Sequence, residues 1–313
     1  MGTIDSTANP PPATPGRPAF RILLAEHFGV CFGVRDALAA VERLAATGPV
    51  TVLGPLVHNE AVREHLAALG VAEGSLADAA AATSRVVITA HGATDADRAR
   101  WAGRGHVVTD TTCPLVRNAH DSLAALVAAG CTPVVIGRKG HAEVLGLAGD
   151  FPGCVVVEGE ADIAAIPAAR RIGVIAQTTQ PERRVRALVA AIRARHPRSE
   201  VVFRDTVCRA TKDRQRALEN LCRRCDGIIV VGGADSNNTR ELVECARARG
   251  LPAWRVGHPD DLRAEWFHGT RRVGVTAGTS TLPGTVVAVL RAMRALAVAG
   301  QAEACDRAAH RKP

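Results

Sequence analysis

Tyrosine is absent from this 313-residue chain, lysine occurs only at Lys139, Lys212 and Lys312, and no apolar run is long enough to cross a bilayer. Three Trp and six Phe, none interleaved with a basic run, leave no stacking platform for nucleic acid. The net charge of +8 is carried almost wholly by arginine. The densest basic stretches, ERRVRALVAAIRARHPR and KDRQRALENLCRRC, read as solvated helix faces, so the charge points to an anionic small molecule or an acidic protein partner. Residues 1–19 lack the basic start and apolar core of a signal peptide and read as a disordered leader, and residues 297–313 read as a polar tail. With no export signal, an odd count of nine cysteines argues against a disulfide framework and for a reducing, cytoplasmic setting without membrane attachment.

What the chain does have is a recurring design. RILLAEHFGVCFGVRDALAAVERL, HVVTDTTCPLVRNAHDSLAALV and VVFRDTVCRATKDRQRALENL each run from an apolar strand through a polar loop ending in cysteine into an amphipathic helix. The three cysteines are Cys31, Cys113 and Cys208, and the last two share the frame Asp-Thr-x-Cys. A thiol at a strand-to-helix turn faces helix N-terminal amides, an environment expected to lower its pKa and favour the thiolate that binds metal. Short, near-continuously apolar strands alternating with helices predict parallel sheets covered on both faces. The pattern predicts an α/β protein of three pseudo-repeated units, residues 20–112, 113–207 and 208–296, arranged around a central cavity.

Each unit offers polar loops after its strands, where ligands of open α/β sheets gather. They present His58 and Asn59, His91, His141 with Glu143, Gln177 to Thr179, Ser236 to Asn238, and Thr279 with Ser280. Taken singly, the SNN and TST loops read as helix caps, and Glu143 as a charge partner of a helix N-terminus. Their recurrence beside three loop histidines points instead to a phosphate or diphosphate pocket. His106, His120, His258 and His268 read as ordinary hydrogen-bonding residues.

A structural zinc site closes with four protein ligands, whereas three widely spaced thiols leave one position open for substrate. The rival ligand pair is Cys222 and Cys225, a Cys-x-x-Cys without a second pair at zinc spacing. Cys131, Cys154, Cys245 and Cys305 read as small apolar or surface positions.

The segments GVCFGVRDAL, VHNEAV, TAHGA, DTTCPLVRNAH, GHAEVLG, AQTTQ, DTVCRATKDRQ, GADSNNTREL and GVTAGTST together resemble the 4-hydroxy-3-methylbut-2-enyl diphosphate reductase family, which closes the methylerythritol phosphate route to isoprenoids. The resemblance runs from about residue 21 to residue 295. It implies a trefoil of three α/β units around one [4Fe-4S] cluster held by Cys31, Cys113 and Cys208, with one iron left for substrate. His58, His91, His141, Ser236, Asn238 and Ser280 match the family's diphosphate-pocket positions, with Asn237 adjoining them. Glu143 matches the acid that delivers protons, and Thr178 the hydroxyl that helps to position the alcohol. The implied reaction removes the allylic hydroxyl as water with two electrons and two protons, giving isopentenyl and dimethylallyl diphosphates. A ferredoxin or flavodoxin is implied as electron donor, and its acidic surface would suit this chain's positive charge. Alternatives are an iron–sulfur sensor without turnover, and a paralogue that reduces a related allylic diphosphate. Three segments depart from the family's usual wording: GHAEVLGLAGD, GTSTLPG and ATKDRQ.

Overall fold

A computed structural model describes residues 20–309 except residue 58, with side chains described as far as residue 299. The leader expected over residues 1–19 and the candidate His58 lie outside the described residues. Among the described residues, twelve strands form three four-stranded sheets in which every pairing is parallel.

The first sheet contains β2 (Thr51–Leu53), β3 (Ala72–Gly74), β4 (Arg85–Ile88) and β5 (Val107–Asp110) in the order β3-β2-β4-β5. Around it lie α1 (Phe32–Ala45), α2 (Glu60–Ala68) and α3 (Asp95–Gly103). The second sheet contains β6 (Thr132–Ile136), β7 (Val155–Val157), β8 (Arg171–Ala176) and β9 (Glu200–Phe203) in the order β7-β6-β8-β9. Its helices are α4 (Pro114–Ala128), α5 (Ala142–Ala148) and α6 (Glu182–Arg195). The third sheet has the order β1-β12-β10-β11 and is built from β1 (Arg21–Leu24), β10 (Gly227–Val231), β11 (Ala253–Val256) and β12 (Arg272–Ala277). Helices α7 (Arg209–Cys222), α8 (Asn237–Arg247) and α9 (Pro283–Ala309) complete it.

All three sheets share one strand order once each is read from its own first strand, and β1 supplies the fourth strand of the third sheet. Residues 20–24 therefore do not belong to the first unit, as their place in the chain suggested, but close the last one. Arg21 to Leu24 pair with Arg272 to Val275 in register, and Phe20 joins the same core as Val273, Val275 and Phe267. The units thus form a ring in which each edge strand, β5, β9 or β1, leads directly into one of the three cysteines and the next unit's first helix.

The second correction concerns the tail. Helix α9 continues to Ala309, and Val286, Val289, Met293 and Ala297 are buried at helical spacing against the third sheet. The alanine-rich run from Ala295 onward carries high helix propensity, which outweighs the single Gly300.

The central strands explain why the sheets hold. Every residue of β10 is buried, and β6, β8 and β12 are buried from their second residue onward. Each such Val or Ile contributes about 1.5–3 kcal/mol on burial, which lets strands of five or six residues order a chain of short connections. Within each sheet the strand order reverses between the first and third strands, β2/β4, β6/β8 and β10/β12. Crevices outside the carboxyl ends of strands at such reversals are where α/β sheets bind ligands.

Candidate active site

The loops that follow these six strands carry the polar residues singled out in the sequence. Those after β2, β6 and β10 present Asn59, His141 with Glu143, and Ser236 to Asn238. Those after β4, β8 and β12 present His91, Thr178 and Ser280. Apart from half-buried His91, all of these are buried, although each has polar atoms to satisfy.

Each cysteine is the residue immediately before a helix: Cys31 before α1, Cys113 before α4, Cys208 before α7. Their backbone amides are tied down in one repeated way. Cys31 N–H donates to Thr279 O at 3.1 Å, Cys113 N–H to Ala90 O at 3.1 Å, and Cys208 N–H to Thr178 O at 3.0 Å. The backbone of each cysteine is thereby fixed to the loop after the third strand of a sheet, the same loop that presents Ser280, His91 or Thr178. The thiols face one another closely enough for their charges to interact, with Cys113 sensing Cys31 and Cys208. A Cβ added at Gly33, two residues after Cys31, would lie 2.6 Å from Cys113 Sγ.

The lowered thiol pKa expected from the helix amides does not survive burial. Desolvation pushes the Cys113 and Cys208 thiols above the ordinary range, against hydrogen bonds from the Leu115 and Val116 amides and from Thr211. Metal binding at such thiols must displace protons.

Three contacts between expected site residues cross the three seams between units. Asn59 Nδ2 donates to Ser280 O at 2.7 Å. The His91 and His141 rings meet edge to face at 5.4 Å between centroids. Asn237 Nδ2 donates to Thr179 Oγ1 at 3.3 Å. Within the third unit, Thr279 N–H donates to Asn238 Oδ1 at 3.1 Å, and Ser236 Oγ caps α8 by accepting from Thr239 N–H. A cavity of about 940 Å³ borders these loops, lined by Asn59, His141 and Arg138 together with Gly233 and Arg255 of the third unit.

Glu143 lies at the centre of the second unit's contribution. Only 2% exposed, it accepts a hydrogen bond from Thr178 N–H at 2.6 Å, and burial pushes its carboxyl up to about 7 against that bond. His141 Nδ1 accepts from Glu143 N–H at 3.1 Å, which orients the imidazole at the start of α5. A carboxyl held near neutrality next to the Cys208 loop can both give and take a proton at physiological pH.

Among the described residues, the one group of potential metal ligands whose donor atoms all lie within 4.8 Å of one another is Asp95, His120 and Asp150. That group is accounted for by capping: Asp150 accepts from Asp95 N–H at 2.9 and 3.0 Å and pairs with His120 Nε2 at 3.0 Å. The three cysteine sulfurs spread more widely than that, whereas thiolates sharing one zinc sit about 3.8 Å apart. Three thiols spaced in this way do not form a closed single-ion site, and thiols are the ligands that iron–sulfur clusters take. Cys222 and Cys225 straddle the end of α7 rather than lying within the helix, and both pack in the third unit's core. Burial pushes the Cys225 thiol up to about 11, as expected of an inert packing residue. His106 stacks edge to face on Trp101 and bonds Thr83 O, and His258 caps a short 3₁₀ turn, both structural uses.

One site residue was missed in the sequence: Arg214, 6% exposed, on the stripe of α7 that buries Thr211, Ala217, Leu218 and Leu221. Its signal was there, a charged residue three after Thr211 and three and four before Ala217 and Leu218, on an otherwise inward face.

The fold defines a three-lobed α/β enzyme in which each lobe contributes polar loops at the carboxyl ends of its strands and each edge strand leads into a helix-starting cysteine. Residues 22–294 match the family model described as LytB protein. The chain is 37% identical over 285 residues to 4-hydroxy-3-methylbut-2-enyl diphosphate reductase 2 of Mycobacterium bovis, covering 88% of this chain and 87% of that protein. It is 38% identical over 281 residues to the reductase of the same name from Methylibium petroleiphilum, covering 88% and 85%. Among solved structures, the (E)-1-hydroxy-2-methylbut-2-enyl 4-diphosphate reductase of Plasmodium falciparum superposes with a TM-score of 0.81 at 26% identity, covering 87% of each chain. A second, described as the terminal enzyme of the non-mevalonate pathway, gives 0.63 at 32% identity and covers 88% and 99%. The chain belongs to the LytB protein family and, like these relatives, is an oxidoreductase.

Proposed function

We propose that this protein reduces 4-hydroxy-3-methylbut-2-enyl diphosphate to isopentenyl and dimethylallyl diphosphates with one [4Fe-4S] cluster, held by Cys31, Cys113 and Cys208. The carbon–oxygen bond of the allylic alcohol breaks, two electrons and two protons are taken up, and the oxygen leaves as water. When bound, the cluster supplies electrons and Lewis acidity at an iron with an open position.

The chain's own residues do the rest. His91, His141, Ser236, Asn238 and Ser280, with Asn237 beside them, hold the diphosphate; His58 belongs with this set from its place in the sequence. Asn59 fixes the Ser280 backbone against the first unit. Binding a diphosphate remote from the reacting carbon orients the alcohol toward the thiol centre. Glu143 gives a proton to the leaving oxygen, and the Thr178 hydroxyl and amide steer the alcohol and the carboxyl. The observation that carries this reading is Glu143 itself: a buried carboxyl near neutral pKa, bonded to Thr178, whose carbonyl holds the Cys208 amide. The net positive charge favours an acidic ferredoxin or flavodoxin as donor, in a cytoplasmic setting.

The test is anaerobic oxidation of a reduced viologen dye by the cluster-loaded protein, with and without the diphosphate substrate. Substrate-dependent oxidation yielding both isoprenoid diphosphates is expected. No turnover by protein with a full cluster would refute the assignment.

A further inference from the structure

Arg214 has no catalytic assignment in the reading above, and its surroundings are unusual. Among the described residues it is the only Arg or Lys that is fully buried, and no carboxylate lies within ion-pair distance of it. Its Nη2 donates to Gly29 O and its Nη1 to Ala210 O at 2.8 Å, while its Nε is buried without a partner. Gly29 lies on the loop that leads to Cys31, and Arg214 itself stands on the helix that Cys208 begins. Burial depresses its pKa, and the negative charges that oppose this are those Cys31 and Cys208 carry when ionised, followed by that of Asp213. A guanidinium remains charged even so. An unpaired cation is costly in a protein interior unless something negative nearby offsets it.

We infer that Arg214 is a positioning and charge-compensating residue for the thiolate centre: it clamps the Cys31 loop to the Cys208 helix and raises the reduction potential of the group the cysteines hold. The inference rests on the cluster assignment proposed above. Three thiolates around a 2+ cluster carry a net charge of −1, and one electron makes it −2. A fixed buried cation favours the more negative state, so its removal lowers the potential.

The experiment is a potentiometric titration, followed by absorbance and electron paramagnetic resonance, of the full chain reconstituted anaerobically as wild type, Arg214→Gln and Arg214→Lys. Iron and sulfide are counted in each. Arg214→Gln is expected to lower the midpoint by the equivalent of at least a tenfold change in the one-electron equilibrium, about 59 mV. Arg214→Lys, which keeps the charge, is expected to recover more than half of that shift. A loaded Arg214→Gln with an unchanged midpoint would overturn the inference, as would a lysine variant as low as the glutamine one. If Arg214→Gln takes up no iron, the lysine variant decides. Loading with a near-native midpoint supports the role of charge, and failure to load overturns it. Absence of a cluster from the wild-type chain would instead sink the cluster assignment and this inference with it.

Discussion

Gly33→Ala separates the demands of the fold from those of the thiol centre. Gly33 is the second residue of α1, and an added Cβ would stand 2.6 Å from Cys113 Sγ and 3.1 Å from Cys113 Cβ. The first distance is roughly 0.8 Å inside ordinary van der Waals contact. In the cluster-free protein Cys113 Sγ is the free end of a side chain and can turn to another staggered rotamer. The helix meanwhile gains about 1 kcal/mol from replacing glycine with alanine, which offsets the small shift required of Cys113 Cβ. Net stability of the cluster-free chain should therefore change by no more than about 1 kcal/mol, a melting shift of at most about 4 °C. Once Cys113 is a ligand its sulfur cannot turn away, and overpacking of about 1–3 kcal/mol falls wholly on the loaded state. Since about 1.4 kcal/mol is tenfold, iron retention should weaken by about fivefold or more. Thermal melts of cluster-free protein, beside anaerobic iron content and the rate of iron release to a chelator, measure the two effects separately. Wild-type iron retention in Gly33→Ala would refute the reasoning, because the sulfur would then not be held where the structure places it.

Changing Cys31, Cys113 or Cys208 to Ser should each remove most cluster iron, while Cys222→Ser and Cys225→Ser leave it intact; equal iron loss from the second pair would overturn the ligand set. Glu143 makes a pH-dependent contribution. Its folded pKa of about 7 lies above the ordinary 4.5, so the folded chain binds more protons between those values. Stability from this group is fully present below about 4.5 and is lost as pH rises through 7, by about 3 kcal/mol in all. Urea melts of cluster-free protein at pH 5 and pH 8 should show that loss, and Glu143→Gln should abolish it along with most turnover while retaining the cluster; an unchanged pH slope in the variant would contradict it.

Much of the fold was legible because each element depends on local pattern. Runs such as GIIVV and RIGVIA carry the signature of strands buried on both faces, and the polar loops that follow them fall at the carboxyl ends where parallel sheets bind ligands. Two features were not legible, for different reasons. Arg214 shares α7 with Arg209 and Arg216, and only its place in the 3.6-residue period of Thr211, Ala217, Leu218 and Leu221 separates the buried arginine from the exposed ones. Strand β1 was misassigned because pairing is non-local: nothing within RILL states which sheet it will join, and chain order favours the nearer one. The closure of the third sheet by β1 has a measurable consequence at Phe20. That ring is 3% exposed and stacks on Phe267 with centroids 4.6 Å apart, in the core that also holds Val273, Val275 and Met293. Phe20→Ala removes a fully packed aromatic from that core, a loss of about 3–5 kcal/mol. The cost should appear where Phe20 packs, not where it lies in the chain. Hydrogen exchange should quicken in β1, β10, β12 and the first turns of α9, with β2, β4 and β5 protected as before. Faster exchange confined to residues 51–110 would mean that the first segment belongs to the unit that follows it, and the ring of three units would be wrong. Protection lost in the third sheet would show instead that the two ends of the described chain are held in one core, so that the Cys31 loop takes its position from β12 and Thr279 as well as from the helix it begins.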